Sequence, residues 1–202
     1  MVQPLSGDCG LLRNCVTCLP TWAAMCSVDD LLSARGNFCM YRSERKAESV
    51  TDGAAEVLFY HLERQPLEKV LPSLLEKTIE RGWRAVIQSG SEERLEALDL
   101  ALWTYRDDSF LAHGTRKDGM SEHQPIYLTT GPETPNGAGV RFFIDGATAE
   151  TFQGFVRIVY LFDGHDPEAV KIARQQWTAA KQAGCQVTYW QQANNGRWEK
   201  KA

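Results

Sequence analysis

Residues 101–114, ALWTYRDDSFLAHG, bring Asp107, Asp108, Ser109 and His113 together. Asp, Ser and His are the side chains of a hydrolytic triad, and two carboxylates with an imidazole can ligate a metal. Triads, however, are normally assembled from distant segments brought within hydrogen-bond reach. Neighbours that follow directly on a helix do not make one, and Asp-Asp-Ser in that place more often turns the chain or caps the next element. The expectation is turn chemistry at Asp107, Asp108 and His113, with His113 at the surface or a hydrogen-bonded structural side chain, and no catalytic residue. His61, His123 and His165 stand without a recognisable partner.

A second constellation lies some seventy positions later. Lys171, Arg174, Trp177 and Lys181 share one helical segment, with Trp177 three residues after Arg174 and four before Lys181. An Arg beside an aromatic can grip a carboxylate through two hydrogen bonds while the ring lines a pocket. That combination suits the free carboxyl terminus of an acidic peptide. Ala173, Trp177, Ala180 and Gly184 also follow i, i+4, i+7, i+11, a stripe able to pack on a sheet. On the residues alone, a core Trp with solvated bases around it is the simpler alternative, and both stay open.

The elements that position these residues read clearly from residue 56. Strands are predicted at 56–62, 83–89, 125–130, 140–145, 155–163 and 185–191. Between them run helices at 66–81, 91–103 and 165–184. Leu67, Val70, Leu71, Leu74, Leu75 and Ile79 form one face of the first helix, with Pro66 in its first turn and Gly82 at its end. Ser91 caps the second; Asp166 and Pro167 open the third and Gly184 closes it. Strands alternating with helices argue an α/β domain with a mostly parallel central sheet. The tail 196–202, GRWEKKA, is polar and is expected to fray, and the Gly- and Pro-rich 131–139 is expected to be a long flexible connection.

Such a sheet invites a nucleotide, yet neither G-x-G-x-x-G nor a P-loop is present, and G-x-S-x-G is absent too. The segment GPETPNGAG (131–139) joins two strands and opens no helix, so it lacks the geometry that cradles phosphate. The net charge of −4 and pI near 5.6 disfavour a dedicated duplex-DNA binder, whose affinity comes largely from neutralised phosphates. No apolar run approaches the ~20 residues that span a bilayer.

Residues 1–53 read differently. They lack sustained periodicity and hold five of the six cysteines. Cys15 and Cys18 make a CxxC, which could be half a zinc site or a redox pair, but Cys9, Cys26 and Cys39 do not supply a second ligand pair and no His precedes His61. The uncharged stretch 14–28 follows Arg13 as a signal peptide would, yet Pro20 breaks its apolar run and Met25 is too large for the cleavage site. The expectation is a poorly structured extension ahead of one domain at 54–202, with synthesis starting near Met40 or Val50.

Three segments together resemble the chi subunit of bacterial DNA polymerase III: EVLFYHL with its helix, the run from Leu98, Asp99, Leu102 and Trp103 to Ser109, Phe110 and His113, and the closing helix Asp166 to Gly184. The resemblance spans roughly 56–195. It implies a three-layer α/β/α fold, Rossmann-like without a nucleotide site or cofactor. It implies an accessory subunit of the cytoplasmic clamp-loader assembly that catalyses nothing itself. Its partners would be the acidic C-terminal tail of single-stranded-DNA-binding protein, which ends in Phe, and a psi subunit or another clamp-loader subunit. DNA would be reached indirectly. Arg174 then matches the basic residue that meets the terminal carboxylate, Trp177 an aromatic lining the Phe pocket and Lys181 a further basic position. Val170 stands where another basic residue is expected, with Lys171 about 100° around the helix from it. Ala112 stands where the family often has Pro. The resemblance favours the binding face over the core Trp, and makes Trp103 and Phe110 the candidates for a clamp-loader or psi contact. The competing readings are a small α/β enzyme acting on a nucleotide or phosphoester, and a cysteine-rich metal or redox device on a carrier domain.

Overall fold

Eight strands form one sheet in a computed structural model, which describes residues 54–193 and 196–202. They are β1 (Glu56–Leu62), β2 (Ala85–Ser89), β3 (His113–Gly114), β4 (Ile126–Thr129), β5 (Val140–Ile144), β6 (Arg157–Asp163), β7 (Gln186–Gln192) and β8 (Trp198–Lys200). Their order is β3-β4-β2-β5-β6-β1-β7-β8, parallel throughout except for β8, which runs antiparallel to β7. The helices are α1 (Leu67–Glu80), α2 (Glu92–Trp103) and α3 (Pro167–Gln182). The expectations for 1–53, including the CxxC and the start site, lie outside the described residues.

The parallel strands are apolar on both faces, as strands covered on both sides must be. On one face Leu58, Ile87, Leu128, Phe142 and Val159 meet Leu71 and Leu75 of α1 and Leu95, Leu98 and Leu102 of α2. On the other, Val57, Phe59, Phe143, Ile158 and Tyr160 meet Ala173 and Ala180 of α3. The small residues let α3 lie close on β6, β1 and β7. Among the described residues no helix covers the rest of that second face. The connections 131–139 and 145–156 lie there instead.

Caps set the helix limits. Ser91 Oγ accepts from Arg94 N at 3.2 Å, and the Asp166 carboxylate accepts from Glu168 N at 2.9 Å. Gly82 (φ +75°) and Gly184 (φ +76°) take the left-handed conformation that lets a chain leave a helix. Trp83 N then donates to Thr78 O at 3.1 Å, and Cys185 N to Ala180 O at 3.0 Å. These bonds explain why β2 starts at Ala85 rather than Trp83, and β7 at Gln186 rather than Cys185. Pro72 sits inside α1, near enough to its start that only one early carbonyl loses a donor.

Two expectations fail. The tail does not fray: residues 198–200 pair with β7, and the Trp198 ring meets the edge of Tyr60 at 4.9 Å. The 131–139 connection is not a free loop. Asn136 is buried and its Nδ2 donates to Ala85 O and Gln124 O, both at 3.0 Å. Thr129 Oγ1 donates to the Glu133 carboxylate at 2.5 Å. The buried guanidinium of Arg141 donates to Glu133 O at 3.0 Å and lies over the Phe155 ring at 5.2 Å.

Candidate functional site

The second half of α3 is built in a gradient from core to solvent. Ala173 and Ala180 are buried. At about 100° per residue, Trp177 stands at the margin of that buried line, Lys181 and Arg174 stand beyond it, and Lys171 falls roughly opposite the core. Gln176, on one side of the line, accepts from the Tyr160 hydroxyl of β6 at 2.9 Å. Trp177, on the other, meets Phe59 of β1 (5.3 Å, 61°) and Tyr189 of β7 (6.2 Å, 85°) edge to face. The ridge of Trp177, Arg174 and Lys181 therefore overhangs β7.

The three cations are held differently. Lys181 Nζ lies 4.8 Å from the centre of the Trp177 ring, a cation–π contact. Lys171 pairs with Glu168 at 3.2 Å. Arg174 has no ion pair or side-chain hydrogen bond among the described residues and is exposed. A free guanidinium beside a half-buried indole can take a carboxylate and an apolar group from one ligand.

Behind Trp177 lies a polar cluster. His61 Nδ1 is 2.6 Å from the Tyr189 hydroxyl, and the His61 ring stacks on Phe162 (5.1 Å, 14°). Burial pushes the His61 pKa down, against the pull of Glu63 and Asp163. His61 shares one hydrogen bond with the Tyr189 hydroxyl, whose own pKa burial raises.

The 101–114 stretch makes no catalytic unit. Asp108 forms a two-pronged pair with Arg106 at 2.8 and 3.0 Å. Ser109 Oγ donates to Glu76 Oε1 at 2.8 Å and accepts from the Tyr105 hydroxyl at 2.8 Å. Tyr105 bonds the same Glu76 carboxylate, and these hydroxyls hold its pKa down. His113 belongs to β3 rather than to the turn. Its side chain is 0% exposed, with Nδ1 2.7 Å from Leu111 O and Nε2 3.2 Å from Asp99. Serine and imidazole thus serve different partners. What the stretch does present is apolar: Trp103 is 55% and Phe110 70% exposed, with Leu100 at 66%. Trp103 leans on Phe110 at 5.6 Å and on His113 at 4.9 Å.

A cleft of about 650 Å³ opens at the carboxyl ends of β1, β5 and β6, where open α/β sheets receive ligands. Its polar lining is mostly carboxylates, among them Glu63, Glu68, Asp145, Asp163 and Asp166. Arg94, also in the wall, is engaged by Glu68 at 2.8 Å and Asp145 at 3.2 Å. Such a lining repels phosphate. No group of three or more His, Cys, Asp or Glu among the described residues is placed to hold a metal ion. No helix among them is long and apolar enough to cross a membrane.

The sequence model for the DNA polymerase III chi subunit, HolC, matches residues 55–188. The chain belongs to that family. A "Probable DNA polymerase III subunit chi" of Rickettsia prowazekii (strain Madrid E) is 30% identical over 111 residues, 52% of this chain and 67% of that protein. Membership of the chi family makes the chain a DNA polymerase III subunit, associated with other replicase components in DNA replication. The matched span takes in Trp103, Phe110 and all four basic and aromatic positions of α3. It stops one residue short of Tyr189. Tyr189 and His61 were not singled out from the sequence. Alternation along β7 puts Tyr189 on the face of Val187, but nothing local says that this face looks at α3. His61 stood as a singleton because its partner lies 128 residues away.

Proposed function

We propose that this chi-family chain is the accessory clamp-loader subunit that links the replicase to single-stranded-DNA-binding protein by gripping the acidic C-terminal tail of that protein. The observation that carries the reading is the exposed Arg174, without an ion pair among the described residues, one turn from the half-buried Trp177. The guanidinium holds the terminal carboxylate by two hydrogen bonds. The indole takes the last side chain, a Phe, and Lys181 keeps the approach positive. Lys171, turned outward, adds to the field. The apolar patch of Trp103 and Phe110 meets a psi subunit or another clamp-loader subunit. DNA is then reached through partners, as the acidic pI suits, and the work is done in the cytoplasm.

The test is a titration of a fluorescent peptide ending Asp-Ile-Pro-Phe, with its carboxylate free or amidated. Binding is expected only when the carboxylate is free, and should weaken as salt screens the charges. Arg174→Ala should cost roughly 1.5–3 kcal/mol, the range for hydrogen bonds to charged groups. Equal binding of the two peptides refutes the assignment.

The second reading, an enzyme acting on a nucleotide or phosphoester, has the 650 Å³ cleft in its favour. Its carboxylate lining argues the other way. Calorimetry with nucleotides and inorganic phosphate separates the two readings, and heat of binding that survives Arg174→Ala would favour the enzyme.

A further inference from the structure

We infer that Asn136 is a chemical ageing site that the fold holds shut, and that its conversion to an acid in an opened chain commits that chain against refolding. The inference is independent of the reading of α3 and draws on the 131–139 connection alone.

Asn136 is followed by Gly137. Glycine has no Cβ to shield its nitrogen, so in this pairing an asparagine side chain is most readily attacked by the next backbone nitrogen. In that step Gly137 N gives up its proton to solvent base and bonds to Asn136 Cγ. The bond from Cγ to Nδ2 breaks, and Nδ2 leaves as ammonia. Water then opens the five-membered imide at one carbonyl or the other, giving aspartate or isoaspartate. Water is the co-reactant, and nothing is oxidised or reduced.

The fold blocks each part of this reaction. Asn136 is 2% exposed. Nδ2, the leaving group, donates to Ala85 O and Gln124 O, both at 3.0 Å. Oδ1 accepts from Ala138 N at 3.2 Å. Gly137 N, the nucleophile, donates to Thr134 O at 3.2 Å. Both ends of the amide and the attacking nitrogen are thus engaged elsewhere, which keeps Cγ off Gly137 N. The same bonds set the product against the fold. Asn136 staples the start of β2 at Ala85, the approach to β4 at Gln124 and the approach to β5 at Ala138. Arg84 adds a further tie, from Nη1 to Asn136 O at 2.9 Å. An aspartate there turns an acceptor toward two carbonyls that need a donor, and buries its charge. An isoaspartate lengthens the backbone at the staple itself. Conversion therefore needs the connection to open, and its product resists closure.

The experiment ages the full chain at mildly alkaline pH, in buffer and in an unfolding concentration of guanidinium chloride. Peptide mapping by mass spectrometry follows conversion at Asn136 separately from that at Asn195, which also precedes a glycine. Conversion at Asn136 should be about 10-fold or more slower in buffer, because it draws only on the opened population. The aged, denatured chains are then diluted into buffer, and refolded and unrefolded pools are separated by gel filtration. The refolded pool should carry Asn136, and the unrefolded pool should hold the converted residue. Asn136→Asp should lower the unfolding midpoint by at least about 5 °C, since two hydrogen bonds are lost in a domain of this size. If Asn136→Asp does not fold at all, the ageing series carries the test by itself. Equal conversion rates in buffer and denaturant overturn the protection. Converted residue shared equally between the two pools overturns the commitment, as does an Asn136→Asp chain as stable as the unaltered one.

Discussion

The second half of α3 and the end of α2 each present a tryptophan, in opposite ways. Trp177 is wedged between Phe59 and Tyr189, capped by Lys181 and bordered by the exposed Arg174. Trp103 is 55% exposed, joined by Phe110 and Leu100, and leans on His113, whose Nε2 is 3.2 Å from Asp99; Asp107 and Asp108 follow within five residues along the chain. The first is a half-buried ring packed on two others beside positive charge, which suits it to one charged end and one ring if α3 is read as the peptide's seat. The second is an apolar patch on a locally acidic edge, suited to a partner with area of its own to bury. A subunit with both can hold two different partners at once, because one surface selects by charge and the other by apolar area.

The largest expected effect that could break this contrast is on stability. Trp177→Ala removes a ring packed on two others and should destabilise the fold by about 1–3 kcal/mol, less than the full cost of a core aromatic because part of the ring is already solvated. Trp103→Ala should stay within about 0.5 kcal/mol, as surface substitutions do. Urea unfolding of the two variants measures both. Binding should show the reverse. Trp103→Ala combined with Phe110→Ala should abolish co-purification of other replicase subunits while the acidic peptide still binds. A Trp103→Ala variant that unfolds easily would mean the patch belongs to the core, and the contrast would fail.

The two surfaces were not equally legible in the sequence. Ser91, Asp166, Pro167, Gly82 and Gly184 are local signals, and four of the six helix limits followed from them because a cap is a contact within one turn. The strands followed from apolar runs. β8 did not, since GRWEKKA carries no strand pattern and its order comes from Trp198 on Tyr60, 138 positions apart along the chain. The 131–139 connection looked flexible for the same reason: Asn136, Glu133 and Arg141 act through long-range or buried bonds that composition cannot reveal. Arg174, Trp177 and Lys181 could be placed on one face from spacing alone. That Arg174 has no ion pair among the described residues, that Lys171 is engaged by Glu168, and that Tyr189 packs edge to face on Trp177 depend on side-chain positions. At the other surface Trp103 and Phe110 were visible as types. The Asp99–His113 contact beneath them joins a helix to a strand edge that no pattern announced.

A smaller effect concerns how firmly the patch is mounted. Glu76 of α1 receives bonds from Tyr105 and Ser109, and these tie down the segment that leads to Phe110. They hold the Glu76 pKa below its ordinary value. A carboxylate with a depressed folded pKa contributes stability that is present above its unfolded pKa, about 4.3, and is lost as pH falls through the folded value. Glu76→Gln should therefore lower the unfolding midpoint at neutral pH and flatten its fall below about pH 4.3. Arg174→Ala should leave that acid limb unchanged. An acid limb that Glu76→Gln does not alter would mean the segment is mounted by packing alone.

The smallest expected effect tests which side of α3 the peptide uses. Lys171 and Arg174 are both exposed cations on one helix, and by charge alone they should contribute alike. They differ in direction and in company. Lys171 lies roughly opposite the Ala173–Ala180 line at about 100° per residue, while Arg174 stands next to the Trp177 ridge over β7. Lys171 is also paired with Glu168 across one turn, an exposed contact worth about 0.5 kcal/mol or less. Removing it loses a screened field and frees a carboxylate, so Lys171→Ala should weaken the acidic peptide by less than about 2-fold and lose even that at high salt. If Lys171→Ala matched Arg174→Ala in peptide titrations, the chain of the peptide would have to cross the outer surface of α3. Its terminal side chain could then not also rest on Trp177, which packs on Phe59 and Tyr189 at the side of the helix that faces the sheet.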